Sequence, residues 1–127
     1  KNKNKKKKKK YLLTVTNFKY KKKSFEILKY MNEIIRFLNK YDFKLYIIGS
    51  GEYKNEFISK INKYDSKKVK VFSFKKNLNN YQKDCFAYVH FSNLDAMPRS
   101  ILECMALGKP VIASNKFGIK LNRVPTV

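Results

Sequence analysis

At 127 residues the chain has room for one domain with a real hydrophobic core, but not for a complete two-domain enzyme. Apolar residues make up 43%, as in an ordinary globular protein, and no apolar run approaches the ~18 residues of a membrane helix. Lys and Arg outnumber Asp and Glu by 30 to 9, a formal net charge of +21, which directs attention to anionic partners.

The charge is uneven, because eight of the first ten residues, KNKNKKKKKK, are Lys and none is acidic. Such a run buries nothing, so residues 1–10 are expected to be a disordered tail ahead of a domain over 11–127. Three roles stay open for it: low-complexity linker, peripheral contact with an anionic membrane, or phosphate neutralisation on nucleic acid. No aromatic residue interrupts the run and no zinc finger or helix-turn-helix follows, so specific nucleic-acid reading is not expected. With no apolar signal core at the start, the expected location is the cytoplasm, with the cytoplasmic face of a membrane as the peripheral site.

YLLTV, from Tyr11, reads as the first strand. From Ser24 to about Lys40, Ile27, Leu28, Met31, Ile34, Ile35 and Leu38 recur at helical spacing, and Tyr41-Asp42 ends the pattern. KLYIIGSGE gives a second strand closing on Gly49-Ser50-Gly51, and a helix follows to about Lys63. VKVFSF is the third strand, Asn77 to Asp84 a short helix with Leu78 and Tyr81 inward, and FAYVHF the fourth strand. PVIAS is the fifth. This alternation predicts an α/β fold: a Rossmann-like parallel sheet with helices on both faces, binding ligand beyond the carboxyl ends of its strands. Gly49 and Gly51 alone do not make a dinucleotide fingerprint, since Lys54 stands where the third glycine would be.

The stretch from Ser92 to Ser114, SNLDAMPRSILECMALGKPVIAS, combines a loop, a helix and a strand. Pro98 suits a first helical turn, Ile101, Leu102, Met105 and Ala106 suggest an apolar stripe, and Gly108 suits a left-handed helix end. Asp95 before the helix and Glu103 within it have seven residues between them. A cap residue and a partly solvated helix carboxylate would explain both. A ligand site would use the same pair, since anions and hydroxyl-rich ligands favour helix starts. His90 is the lone histidine and reads as a strand residue satisfied by a neighbour. Cys85 and Cys104 read as free buried thiols of a reducing compartment.

The same stretch resembles the signature of the GT-B nucleotide-sugar glycosyltransferases, above all retaining family 4, S-x-x-E-x-x-P-x-x-x-L-E-A-M-A-x-G-x-P-V-I-A-S. Ser92, Asp95, Pro98, Leu102, Glu103, Met105, Ala106, Gly108, Pro110 and Val111 to Ser114 stand at its positions. The first acid is shortened by one methylene, and Cys104 replaces the usual Ala.

The resemblance implies the donor-binding, carboxyl-terminal half of such an enzyme. Glu103 would hold the donor ribose, while Asp95, with the backbone of Ala96 and Met97, would face the donor sugar as the catalytic candidate. The family's glycine-rich turn falls on Gly49 and Gly51. Its phosphate-binding Arg falls on Asn17 and its Lys on Lys22 or Lys23, though a solvated basic loop explains the same lysines. The expected partners are a nucleotide-sugar donor and an acceptor glycan or lipid-linked glycan. No cofactor and no metal is expected. The reading also implies an acceptor domain outside this stretch, a missing closing helix after Gly118, and a chain that binds donor weakly and transfers nothing alone. The rival reading is a non-catalytic basic module, a degenerate donor domain held on anionic membrane or RNA. A UDP-N-acetylglucosamine epimerase of similar fold fits the helix signature less well.

Overall fold

The computed structural model describes residues 10–73, 78–90, 99–115 and 118–124. Six strands form one sheet in the order β3-β2-β1-β4-β5-β6. They are β1 (Tyr11–Asn17), β2 (Lys44–Ser50), β3 (Val69–Phe72), β4 (Ala87–His90), β5 (Val111–Asn115) and β6 (Gly118–Val124). The first five run parallel, and β6 pairs antiparallel with β5 at the edge. The helices are α1 (Lys21–Ser24), α2 (Met31–Tyr41), α3 (Lys54–Asn62), α4 (Leu78–Asp84) and α5 (Arg99–Ala106).

Period-two alternation divides the apolar residues between the two faces of the sheet. Leu12, Leu45, Ile47, Ala87 and Val89 face one way and are buried against Ile34 and Leu38 of α2 and Phe57 and Ile61 of α3. Leu13, Ile48, Tyr88 and Val111 face the other way, with Leu78 and Tyr81 of α4 and Cys104 and Met105 of α5. Tyr11 stacks on Tyr46 at 4.3 Å on this second face, and Tyr46 meets Phe72 edge-on at 5.1 Å. Full burial of each Leu, Ile, Val or Phe side chain stabilises the fold by about 1.5–3 kcal/mol. Lys10, the residue before the break in composition, is already bonded to the sheet. The Lys10 carbonyl accepts the Lys44 N–H at 3.0 Å, and its ammonium lies 5.3 Å from the Phe43 ring centre.

The helix expected from Ser24 to Lys40 is three segments. α1 begins at Lys21, a 3-10 helix covers Glu26–Tyr30, and α2 runs from Met31. Ser24 does not cap a helix; it is buried, and its hydroxyl donates back to the Lys21 carbonyl at 3.3 Å. Ile27 and Tyr30, the buried pair of the middle segment, are three residues apart, the spacing that eclipses in a 3-10 turn. Met31, Ile34 and Leu38 then take up α spacing. Asp42, in the left-handed region at φ 58°, ends α2 where the sequence predicts.

The apolar stripe expected on α5 is rotated. Cys104 is fully buried, Leu102 is 52% exposed and Ala106 is exposed as well. The helix turns its Cys104 edge to the sheet, and the thiol packs with Cys85, Tyr88 of β4 and Val111 of β5. Gly108, at φ 76°, closes α5 as expected. Its N–H donates to the Met105 carbonyl at 2.9 Å, and Lys109 donates to that of Cys104 at 2.9 Å.

Strand β6 is not among the strands the sequence predicts, the last of which is PVIAS. Its alternation of Ile119 and Leu121 with Lys120 and Asn122 is the pattern of an edge strand.

Candidate functional site

The strand order turns back on itself between β1 and β4, the place where open α/β sheets bind ligands. The ladder between these strands is short, pairing only Leu12 with Ala87 and Leu13 with Tyr88. Beyond it the Tyr88 hydroxyl accepts the Val15 N–H at 3.1 Å and donates to the Val15 carbonyl at 3.2 Å. On the side of β1 that faces away from β2, that hydroxyl satisfies the Val15 backbone where β4 no longer pairs, so the carboxyl ends can part without orphaned amides.

An open cleft lies at this parting. Thr14, Val15 and Thr16 of β1 and Ile47 of β2 line it, with Lys23, Ser24, Ile27 and His90. The site therefore offers hydroxyls, an ammonium-bearing side chain and an imidazole around a small apolar base. Sequence reasoning gave His90 no role beyond its strand, took Thr16 only as the start of the loop after β1, and did not single out Thr14. Thr16 and His90 lie toward the carboxyl ends of β1 and β4, the strands flanking the turn-back, and that position was the available signal.

Three consecutive lysines of α1 have three different situations. Lys21 pairs with Glu56 at 2.9 Å, and this hydrogen bond raises its pKa above the usual lysine value. Lys22 and Lys23 are both exposed, but of these two only Lys23 lines the cleft. Of the two candidates for the phosphate-binding lysine, Lys23 is the one at the cleft. Asn17 is used locally: its side-chain oxygen accepts the Lys19 N–H at 3.0 Å and its carbonyl accepts the Tyr20 N–H at 3.1 Å.

Gly49 and Gly51 each have a packing reason. A Cβ on Gly49 would lie 2.3 Å from the Thr16 carbonyl oxygen. One on Gly51, whose φ is 143°, would lie 2.3 Å from both the Phe18 carbonyl carbon and the Lys19 nitrogen. The loops after β1 and β2 are bonded together there, Phe18 N–H to the Ser50 carbonyl at 2.9 Å and Tyr53 N–H to the Phe18 carbonyl at 3.1 Å. Glycine lets these loops close on one another. Lys54, at the start of α3, hydrogen-bonds Ser73, the residue after β3.

Glu103 sits on α5, exposed, and its Oε1 accepts a hydrogen bond from Gln82 Nε2 of α4 at 3.0 Å. Behind it, Cys85 and Cys104 are both fully buried and free, as expected. The Cys104 thiol is hydrogen-bonded to the Cys85 sulfur, and this bond together with burial raises its pKa well above the ordinary thiol range. Cys85 donates to the Gln82 carbonyl at 3.3 Å. Asp95, Ala96 and Met97, the predicted donor-sugar residues, lie outside the described residues.

The family model for glycosyl transferases group 1 matches residues 1–121. No curated protein matches the sequence. Among solved structures, a point mutant of S. aureus TarM in complex with fondaparinux, alpha-GlcNAc-glycerol and UDP is similar at TM-score 0.63 and 18% identity, over 87% of this chain and 22% of that one. The pneumococcal O-GlcNAc transferase GtfA, in complex with UDP and GlcNAc, is similar at TM-score 0.63 and 16% identity, over 85% and 21%. A UDP-GlcNAc 2-epimerase of Methanocaldococcus jannaschii also shares the fold, at TM-score 0.52 and 18% identity, over 84% and 29%. The chain spans less than a quarter of the length of TarM and of GtfA. Identities this low establish the fold, a GT-B-type Rossmann-like domain, and transferase and epimerase alike possess it.

Proposed function

Because the chain belongs to the group 1 glycosyltransferases, we propose that it is the donor-binding half of a retaining enzyme. In this reading a hexosyl group passes from a nucleotide diphosphate sugar to an acceptor hydroxyl on a glycan or lipid-linked glycan. The observation that carries it is the cleft where β1 and β4 part, lined by Lys23, in a domain whose α5 bears Glu103.

The chemistry follows from where charge develops. As the bond from the anomeric carbon to the diphosphate breaks, negative charge grows on the leaving oxygens. An ammonium beside the cleft stabilises the departing diphosphate more than the bound donor. Glu103 accepts hydrogen bonds from the ribose hydroxyls, which holds the nucleoside end. Asp95 and the Ala96 and Met97 backbone hold the donor sugar so that the acceptor attacks on the face the leaving group occupied. Lysine supplies the countercharge, so the reading includes no metal. The acceptor side belongs to another domain, and the TarM and GtfA complexes, named with UDP and with sugars, support a nucleotide donor and a sugar acceptor as classes.

The lysines of residues 1–9 add an electrostatic attraction to anionic membrane, which would hold the chain at the cytoplasmic face. One observation favours the second reading, a degenerate domain that is only a basic interaction module. Asn17 stands where the family carries arginine, and its carboxamide oxygen is already engaged by the Lys19 N–H.

Calorimetric titration separates the two. UDP, GDP, UDP-glucose and GDP-mannose would be added at two salt concentrations to the full chain, to residues 10–127 and to Glu103→Ala. Saturable binding of one nucleotide that survives salt and loss of residues 1–9, and that Glu103→Ala abolishes, supports the transferase reading. Binding equal for all four and lost with salt supports the basic module.

A further inference from the structure

Gln82 is the one polar residue that α4 buries, at 2% exposure, although glutamine is ordinarily a surface residue. A buried carboxamide is costly unless its donors and acceptor are used. Here Nε2 donates to Glu103 Oε1 at 3.0 Å across the contact between α4 and α5. The Gln82 backbone is itself anchored, its carbonyl accepting from the Cys85 thiol at 3.3 Å, and Cys85 is packed with Cys104, the residue after Glu103. The inner side of the Glu103 side chain is thus held by a fixed donor mounted on a second helix, while the residue remains exposed.

We propose that Gln82 is the positioning residue of the nucleotide site. It holds one carboxylate oxygen of Glu103 and so turns the other toward the two vicinal hydroxyls of the donor ribose. This rests on the transferase reading of Glu103 given above. An ionised carboxylate has about four acceptor positions on its two oxygens, so a single donor at Oε1 leaves capacity for a diol. An unheld glutamate on an exposed helix face would have to give up rotamer freedom on binding, and a prearranged one does not. Outer partners that orient metal ligands change affinity by about 10- to 100-fold when lost, and a carboxylate held by one donor belongs at the low end of that scale.

The bland alternative is that Gln82 is a tether between two helices. The two roles differ in what they do to ribose preference, so the readout is a ratio. The full chain is titrated by NMR with UDP and GDP, each beside its 2′,3′-dideoxy form, and the affinity ratio of ribo to dideoxy nucleotide is measured. Gln82→Met keeps the volume and removes the donor. The expected result is a folded protein whose ratio falls about tenfold, with dideoxy affinity unchanged. An unchanged ratio in Gln82→Met, beside a ratio that Glu103→Ala abolishes, overturns the positioning role and leaves the donor reading intact. A wild-type chain with no ribose preference overturns both. Should Gln82→Met fail to fold, Gln82→Asn keeps a carboxamide that is one methylene too short. The ratio is expected to fall there too, and an unchanged ratio is equally fatal to the proposal.

Discussion

The Tyr88 hydroxyl and the Val15 backbone form a closed pair, the N–H donating at 3.1 Å and the carbonyl accepting at 3.2 Å. This one side chain substitutes for a strand just where β1 and β4 stop pairing. Tyr88→Phe strands both backbone groups in a largely buried place, and its expected cost is about 1–3 kcal/mol. Urea unfolding of the two proteins at equal concentration measures it. A loss below a few tenths of a kcal/mol would mean that water replaces the hydroxyl.

The glycines should rank by what their missing side chains would strike. Gly49→Ala would push a methyl group into the Thr16 carbonyl, and a loss of about 3 kcal/mol or more is expected, or failure to fold. Gly108 has nothing within 4 Å and only its φ of 76° to satisfy, so Gly108→Ala should cost about 1 kcal/mol. Thermal melts of both variants test the order, and a reversed order would contradict the close approach of the loops after β1 and β2.

Lys22 and Lys23 are adjacent in sequence, yet only Lys23 lines the cleft. Lys23→Ala is expected to weaken nucleotide diphosphate binding by about five- to tenfold, and Lys22→Ala by less than about twofold at physiological salt. Titration of each variant with the nucleotide that the wild type binds decides it. Equal losses would point to a diffuse basic field instead of a site.

Tyr11 predicts an alkaline limit to stability. Burial, with smaller effects from nearby thiol, carboxylate and phenol groups, raises its phenol pKa, and the hydroxyl donates to the Tyr81 carbonyl at 2.8 Å. A group raised in the folded state favours folding fully below its unfolded pKa. That contribution is lost as the pH climbs from about 10 toward the folded value. Unfolding free energy should therefore fall above about pH 10. Tyr11→Phe should flatten that arm while costing about 1 kcal/mol at neutral pH for the lost hydrogen bond. Denaturant midpoints from about pH 7 to 11 follow it, and an arm that Tyr11→Phe leaves as steep as before would assign the fall to other groups.

Much of this protein is decided by local composition. The apolar runs at Tyr11, Leu45, Val69, Ala87 and Val111 are strands because short β-branched and aromatic stretches bounded by polar residues have no better local option. Their alternation with helices leaves a parallel sheet as the only economical arrangement. Asp42 and Gly108 end their helices where they do because each tolerates the left-handed region. The motif from Ser92 to Ser114 carries the family in its residue types and spacing alone.

Only the tertiary structure decided which neighbours those residues meet. The stretch from Lys21 to Tyr41 divides because Ile27 and Tyr30 must both reach the core three residues apart, a demand periodicity averages away. Cys104, not Leu102, turns inward and packs beside Cys85. Gly49 is required by a carbonyl 33 positions earlier in the chain, at Thr16, and Gln82 is buried for a carboxylate 21 positions later. Packing and hydrogen bonding between segments distant in sequence set these choices, and a one-dimensional pattern contains the residues but not the distances between them.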